Sequence, residues 1–501
     1  MKKIITIILL IMVFSLCCVS CKGKAGEVSF GSSDLLTSSF DGLGVEWGTY
    51  EDTNKMIKGS WPRVLSAVDR LNPSLVRCMT NLDWFVVDFD DKGTNDLSDD
   101  DWSYNFNNKQ MANASDVLDY CQKNGIKVAF GVWNVIGKAD PEEDVIKMIS
   151  GDVTADPRWA KMCSDLMEYL IVKKGYTCIR WFVNTNEPNI LGREGSSKNY
   201  NNTKDKWIQG VKNLRKAFDD IGLKDLSIIG GDTTTLAGSR DYLTYAADKI
   251  PDLLDNYGVH LYVNYNDIAS AKYQKELLSL YSDVADVDKE LGSSKNMYIW
   301  EAGLLWGKDP DRDCNDYIMD FAYGLCMADY TVQSIFAGVN GIVYWDLDDA
   351  MHFMYRENET NAKEWGMFST LATADSDKQE YRYWYHSSVL LTNLLRPGYA
   401  LYGKSTGING VRALAAVSPD KTKGGFVVVN NSKTKASVKM SVVDEVNGGD
   451  KLYVYYYNES MLKIGSDGFV TPNKVIDGDL NRELNLDVPA NTMVVVSNVK
   501  L

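Results

Sequence analysis

Eight short apolar runs, each separated from the next by a segment with helical character, leave this chain very few ways to fold. They lie at Gly42 to Trp47, Ser74 to Met79, Lys127 to Trp133, Ile179 to Val183, Leu226 to Gly231, Tyr257 to Tyr262, Met297 to Gly303 and Gly341 to Trp345. Runs of this length, bounded by turn residues, read as buried strands. Helices are expected between them at Trp61 to Leu71, Met111 to Lys123, Pro157 to Lys174, Lys204 to Ile221, Tyr242 to Ile250, Ile268 to Leu291 and Asn315 to Ala337. Their ends carry the usual punctuation: Pro62 and Pro157 in first turns, Asp156 as a cap, Gly125, Gly222 and Pro251 as stops. Strand and helix alternating at about 40 residues per unit predict an α/β chain forming a parallel (β/α)8 TIM barrel over residues 41–396.

Two of the strands end in glutamate. In IRWFVNTNEPN, Ile179 to Asn189, the apolar run closes on Asn186-Glu187-Pro188, and the proline keeps Glu187 out of helical geometry. Glu187 is therefore expected in an extended or turn conformation at the lip of strand four. MYIWEAG, Met297 to Gly303, places Glu301 at the corresponding point of strand seven, followed by small residues. Carboxylates at the C-terminal rim of a barrel stand where such enzymes keep their chemistry.

The N-terminus reads as an export signal: basic Met1-Lys2-Lys3, apolar Ile4 to Leu16, then cysteines, too short for a comfortable membrane span. Cys18-Val19-Ser20-Cys21 resembles a bacterial lipobox with Cys18 in place of the usual leucine, so residues 1–20 are expected to be removed and Cys21 lipidated. That N-terminal lipid is then the membrane attachment, at the cell surface or periplasmic face, with plain secretion as the open alternative.

Composition narrows the partners. A net charge of -15, more negative once Lys2 and Lys3 leave with the signal, opposes nucleic-acid binding. Thirteen Trp and 28 Tyr suit stacking on sugar rings, although core packing takes most of them. The six cysteines outside the signal, Cys78, Cys121, Cys163, Cys178, Cys314 and Cys326, form no CxxC pair and are expected as buried free thiols. Only His260, His352 and His386 offer imidazole, little material for a transition-metal site, and no cofactor is expected. The acidic connection Asn81 to Asn108 is expected as a solvated loop over the site, since the spacing of its acidic run Asp88 to Asp101 matches no EF-hand calcium loop. Beyond Leu395-Arg396-Pro397-Gly398 helical periodicity stops, and residues 397–501 read as an antiparallel β-sandwich, with a strand contributed from within residues 27–40.

Taken together, the strand ends resemble the clan of retaining glycoside hydrolases that includes families 5, 30, 39, 51 and 79. The matching positions are Arg77 in LVRCM, Asn186 and Glu187 in TNEP, His260 and Tyr262 in VHLY, Glu301 in IWEAG and Trp345 in VYWDL. The resemblance covers Gly42 to about Arg396. Trp133-Asn134 stands where family 5 usually has a histidine, and the layout is closer to families 30, 39, 51 and 79. It implies Glu301 as nucleophile, Glu187 as acid/base, Asn186 on the sugar 2-hydroxyl and Trp345 as a stacking floor. Arg77 and Tyr262 would hold Glu301 ionised, His260 would orient Glu187 or a hydroxyl, and Glu187 would begin protonated beside its neighbour's charge.

Trp47, Trp84, Trp133 and Trp306, at or just past strand ends, are candidates for outer sugar subsites, of which one or two are expected to touch ligand. The function expected is hydrolysis of β-glycosidic bonds in an oligo- or polysaccharide of plant or host origin. The alternative is a surface lipoprotein on the same barrel that binds glycan without turnover.

Overall fold

The computed structural model describes residues 24–48, 60–133, 155–190, 204–292, 294–309, 314–349, 364–368, 381–442, 446–447 and 449–501. The expected signal and Cys21 lie outside them, as do Asn134 and most of the connection after strand eight.

Eight parallel strands close into a barrel in chain order: Gly42–Glu46, Leu75–Thr80, Lys127–Val132, Ile179–Val183, Ser227–Thr234, Asn256–Val263, Asn296–Leu304 and Val339–Tyr344. We number these strands one to eight. Strand alternation sorts their side chains. Leu43, Val45, Val76 and Cys78 face the helices, whereas Leu75, Met79, Ala129, Trp181, Val183, Ile229, Tyr298 and Trp300 fill the interior. Tyr298 and Trp300 stack at 5.1 Å, and room for such rings comes from glycine: a Cβ on Gly341 would lie 2.5 Å from Tyr298. The interior is a packed core, so function is left to the rim.

Helix ends follow local chemistry. Asn108 accepts from the Met111 N–H at 2.9 Å to start Lys109–Asn124, and Gly125, at φ 66°, ends it. Asp156 accepts from the Arg158 N–H at 2.9 Å ahead of Pro157–Met167, which runs on as a π-helix through Lys173.

Two expectations need correction, and one helix was not expected. The connection 81–108 is not a plain loop, because Val86–Asp90 and Asp101–Tyr104 pair as an antiparallel hairpin. Polar turns hid a row of rings, Phe89, Trp102, Tyr104 and Phe106, that packs toward Tyr169. Tyr104 also donates to Asp165, so the hairpin leans on the helix before strand four. The helix expected over Ile268 to Leu291 is two, Tyr265–Ala269 and Lys272–Glu290, broken where Ala271 adopts φ 60°. At the break the Ile268 carbonyl accepts from Gln333 at 2.8 Å instead of continuing one helix. Finally, Tyr383–Leu394 forms a helix after strand eight that carries no amphipathic signal, since it is buried on nearly every side.

The C-terminal region is two facing sheets. A seven-stranded sheet joins Leu35–Thr37 to strands between Ala400 and Ser497, and a three-stranded sheet pairs Lys24–Phe30 in parallel with Ala436–Val442. Val28, Phe30, Phe426, Val428, Val438, Met440, Val494 and Val496 fill the space between them. The other face of the large sheet, with Leu414, Val427, Tyr455 and Val495, packs on the barrel's helices. Two covered faces explain why its central strands are apolar without alternation.

Candidate active site

Arg77 ties the site together. It points inward from strand two, is wholly buried, and uses both terminal nitrogens. Nη1 donates to Glu46 at 3.1 Å and to Glu301 at 2.9 Å, while Nη2 donates to Asn186 at 2.7 Å and to Asp232 at 3.0 Å. A guanidinium's planar fork is suited to several oxygens at once, as an ammonium is not. Glu46 is its cross-strand neighbour in the ladder between strands one and two, which fixes that contact by register.

A second hub sits opposite. His260 of strand six, also wholly buried, contacts Asp232 at 2.9 Å through Nε2 and Glu187 at 3.1 Å through Nδ1, with Glu301 at 3.4 Å from the same Nδ1. Burial works against charge on this ring, but the carboxylates of Asp232 and then Glu301 outweigh it and raise His260 to about 10. The imidazole is therefore a cation at neutral pH and donates from both nitrogens.

Tyr262, two residues on, donates to Glu301 at 2.9 Å, and burial beside Glu301 holds its hydroxyl protonated. Gly303 makes room for that ring: a Cβ there would stand 2.8 Å from its edge carbons. Glu301 is 5 % exposed; burial holds its carboxyl above the usual carboxylate range, and the pull of His260 and Arg77 offsets this only in part. For Asp232 burial is again the largest influence, yet His260 and Arg77 together hold it below the usual carboxylate range. Glu46 shows the reverse balance, since burial raises it to about 8 despite the pull of Arg77.

Glu187 is the more open of the two strand-end glutamates, its side chain 18 % accessible. It has φ 47°, Asp232 has φ 52°, and the Glu187 N–H donates to the Asp232 carbonyl at 3.0 Å. Two non-glycine residues in left-handed geometry, tied to each other, are an energetic burden of the kind concentrated at functional sites. The expectation of a turn rather than a helix at Glu187 holds. One side-chain oxygen of Glu187, one ring nitrogen of His260 and one side-chain oxygen of Glu301 all lie within 4.8 Å of one another. Chemically, this is a partly accessible carboxyl facing a buried carboxyl, with Arg77 and His260 as fixed cations beside them.

Solved structures with this fold are extensive but distant in sequence. An endo-β1,6-glucanase matches with TM-score 0.62 at 14% identity, over 96% of this chain and 95% of that one. The family 30 xylanase C of Talaromyces cellulolyticus matches with TM-score 0.61 at 13% identity, over 95% and 100%. The family 51 α-L-arabinofuranosidase of Thermotoga petrophila matches with TM-score 0.57 at 14% identity, over 94% and 99%. The chain shares the fold of these glycoside hydrolases. No protein-family model and no curated protein matches the sequence.

Of the expected residues, Arg77, Asn186, Glu187, His260, Tyr262 and Glu301 converge as described. Trp345 lies at the end of strand eight, 7 % exposed, edge-on to Trp133 at 6.3 Å, and Trp133 in turn lies 5.4 Å from the Arg77 guanidinium. Two outer tryptophans are packed into the core. Trp47 follows inward-facing Glu46 and so turns outward, wholly buried against Trp61 and Tyr120. Trp84 is 4 % exposed within the core beneath the hairpin. Trp306 is half-buried, stacked between Tyr317 at 4.6 Å and Tyr265 at 5.0 Å. Sequence reasoning passed over Glu46 and Asp232. Each is an acid at the end of an apolar strand, the same signal that marked Glu187 and Glu301, in GVEW and GGDT.

Proposed function

We propose that this protein is a retaining glycoside hydrolase acting on β-glycosidic bonds of a plant or host glycan through a covalent glycosyl-enzyme. The supporting observation is the spacing of the two carboxyl groups. Retention calls for about 5–5.5 Å between them, whereas inversion leaves about 6.5–9.5 Å for an intervening water. One carboxyl oxygen of Glu187 lies within 4.8 Å of one of Glu301, a proximity that supports the first over the second.

In this reading Glu301 attacks the anomeric carbon while Glu187 protonates the departing oxygen. Arg77 and Tyr262 occupy both Glu301 oxygens, aiming the carboxylate and stabilising its charge. Esterification neutralises Glu301, and Glu187 then takes a proton from the water that frees the sugar. Arg77 accepts nothing and donates to the Asn186 oxygen, so the amide NH2 is the end that meets a sugar hydroxyl. Trp345 and Trp133 supply the stacking surface. We also propose export with a lipid at Cys21, which radiolabelled palmitate incorporation lost in Cys21→Ser tests.

A panel of aryl β-glycosides tests the reaction. Turnover is expected for the wild type, to be lost in Glu301→Ala and restored by azide with formation of a glycosyl azide of inverted anomeric configuration. Binding of oligosaccharides with no product from any panel member would replace this reading by that of a glycan-binding lipoprotein.

A further inference from the structure

Beside Glu187 the rim opens into a cavity of ≈ 360 Å³, lined among others by Tyr262, Asn264, Asp267, Glu276 and Lys308. Its charges are not equivalent. Asp267 and Glu276 both turn to Lys272, at 3.3 and 3.7 Å, so each has a cation already. Lys308 is exposed, and no carboxylate pairs with it among the described residues. Its ammonium instead stands 5.8 Å from the centre of the Tyr262 ring and 5.6 Å from that of Trp365. Those two rings meet edge to face at 5.6 Å, and Tyr262 is the donor to Glu301. The Lys308 ammonium is thus one aromatic ring away from the reacting carboxylate.

The base of Lys308 is also built to stay put. Lys308–Asp309 pairs antiparallel with Cys314–Asn315 just beyond strand seven. The Lys308 N–H donates to the Leu305 carbonyl at 3.0 Å. Asn315 pins the ribbon, its side chain donating to the Leu304 carbonyl at 2.9 Å and its N–H to the Glu364 carbonyl at 3.0 Å. A lysine usually spends side-chain freedom to hold one position; here ribbon and rings restrict it beforehand. A cation restrained in this way, with no carboxylate paired to it among the described residues, is placed to meet an anion on a ligand in the cleft.

We propose that Lys308 recognises an anionic substituent, a carboxylate or a sulfate ester, on a sugar bound next to Glu187 and Glu301. The protein's charge of -15 repels a continuous polyanion, so the substrate is a glycan whose acidic units are spaced among neutral ones. This inference rests on the glycosidase reading for its location, and its test separates the two. Matched substrates are needed: a uronate, its methyl ester, a sulfated sugar and the neutral parent. The wild type is expected to favour an acid over its neutral partner by about tenfold or more in kcat/KM, the scale of one charge-assisted contact. Lys308→Met, which keeps the stem on the two rings, brings that ratio toward one, and Lys308→Arg retains it. Whichever of the uronate and sulfate arms shows the larger ratio identifies the source of the anion. A wild-type ratio near one in both arms, or an equal loss on acid and neutral substrates in Lys308→Met, overturns the proposal. If nothing on the panel is hydrolysed, only the glycosidase reading fails. Calorimetric titration of the uronate and its ester against wild type and Lys308→Met then decides the anion contact, which stands on an acid preference lost in the variant and falls on equal binding.

Discussion

Asp232 contacts neither proposed reacting carboxylate directly, yet both cations of the site depend on it, since it accepts from Arg77 at 3.0 Å and faces His260 at 2.9 Å. Asp232→Asn withdraws the larger of the attractions that keep His260 charged. The expected outcome is a fall in kcat/KM with the alkaline limit of the pH–rate profile moved to lower pH, whereas a simple loss of folding would scale the whole profile. His260 also makes stability depend on pH. Its pKa is raised from 6.5 to about 10 in the folded chain, so its contribution is full below 6.5 and is lost as pH rises through about 10. Glu46, raised from 4.5 to about 8, acts in the same direction, because its ionisation is disfavoured in the fold and stability declines from pH 4.5 up to about 8. Glu46→Gln is expected to flatten the lower part of that decline and Asp232→Asn the upper part, read as Tm against pH. The residues that sequence made legible are those whose identity is unusual for their place, such as a glutamate before proline or an arginine inside an apolar strand. Asp232 and Glu46 obey the same rule and were readable in principle. Trp47 was misread because one position along a strand reverses the face, and a strand end read to ±1 residue cannot tell rim from wall.

The elements that carry the site were legible wherever one face is buried and the other is not, as with Lys204–Asp220 or Lys109–Asn124, whose buried residues recur at helical spacing. Tyr383–Leu394 is the counterexample: wrapped by barrel and sheet, it has no polar face from which to read a period. What fixes its start is an ion pair. Arg382 donates from two nitrogens to Asp349 at 2.8 and 2.5 Å, and Asp349 accepts from the N–H groups of Trp365 and Gly366 at 3.0 and 2.8 Å. That clasp gathers three separate stretches of chain and sets Trp365 against Tyr262. Because both side chains are nearly closed to water, removing one strands the other's charge. Arg382→Met is expected to destabilise by ~3–5 kcal/mol, measured by urea unfolding. The double variant with Asp349→Leu should recover much of that loss, since a buried pair replaced by apolar groups of similar size is often near neutral.

At the scale of the molecule, barrel and sandwich share one core, and the contact between them includes a buried charge. Asp329, wholly buried on the helix Phe321–Phe336, accepts from Arg412 of the large sheet at 2.7 and 2.8 Å and from Asn431 at 3.0 Å. The N-terminal strands cross over to the same sheets, so the sandwich takes in chain from both before and after the barrel. One cooperative calorimetric transition is therefore expected for the whole chain, and two separable ones would refute a shared core. Arg412→Met probes the seam specifically. Burial already pushes Asp329 upward, and Arg412 is the main force holding it down, so without the arginine its folded pKa climbs further above the unfolded one. An acid raised in this way opposes folding only at pH values above its unfolded pKa. The variant should thus lose the most stability near neutral pH, on the order of 3–5 kcal/mol, and progressively less as the medium is acidified toward about pH 4. Chemical denaturation at neutral pH and at pH 4.5 measures that difference. An Arg412→Met penalty equal at both would mean that Arg412 holds the seam by packing alone, with its charge playing no part.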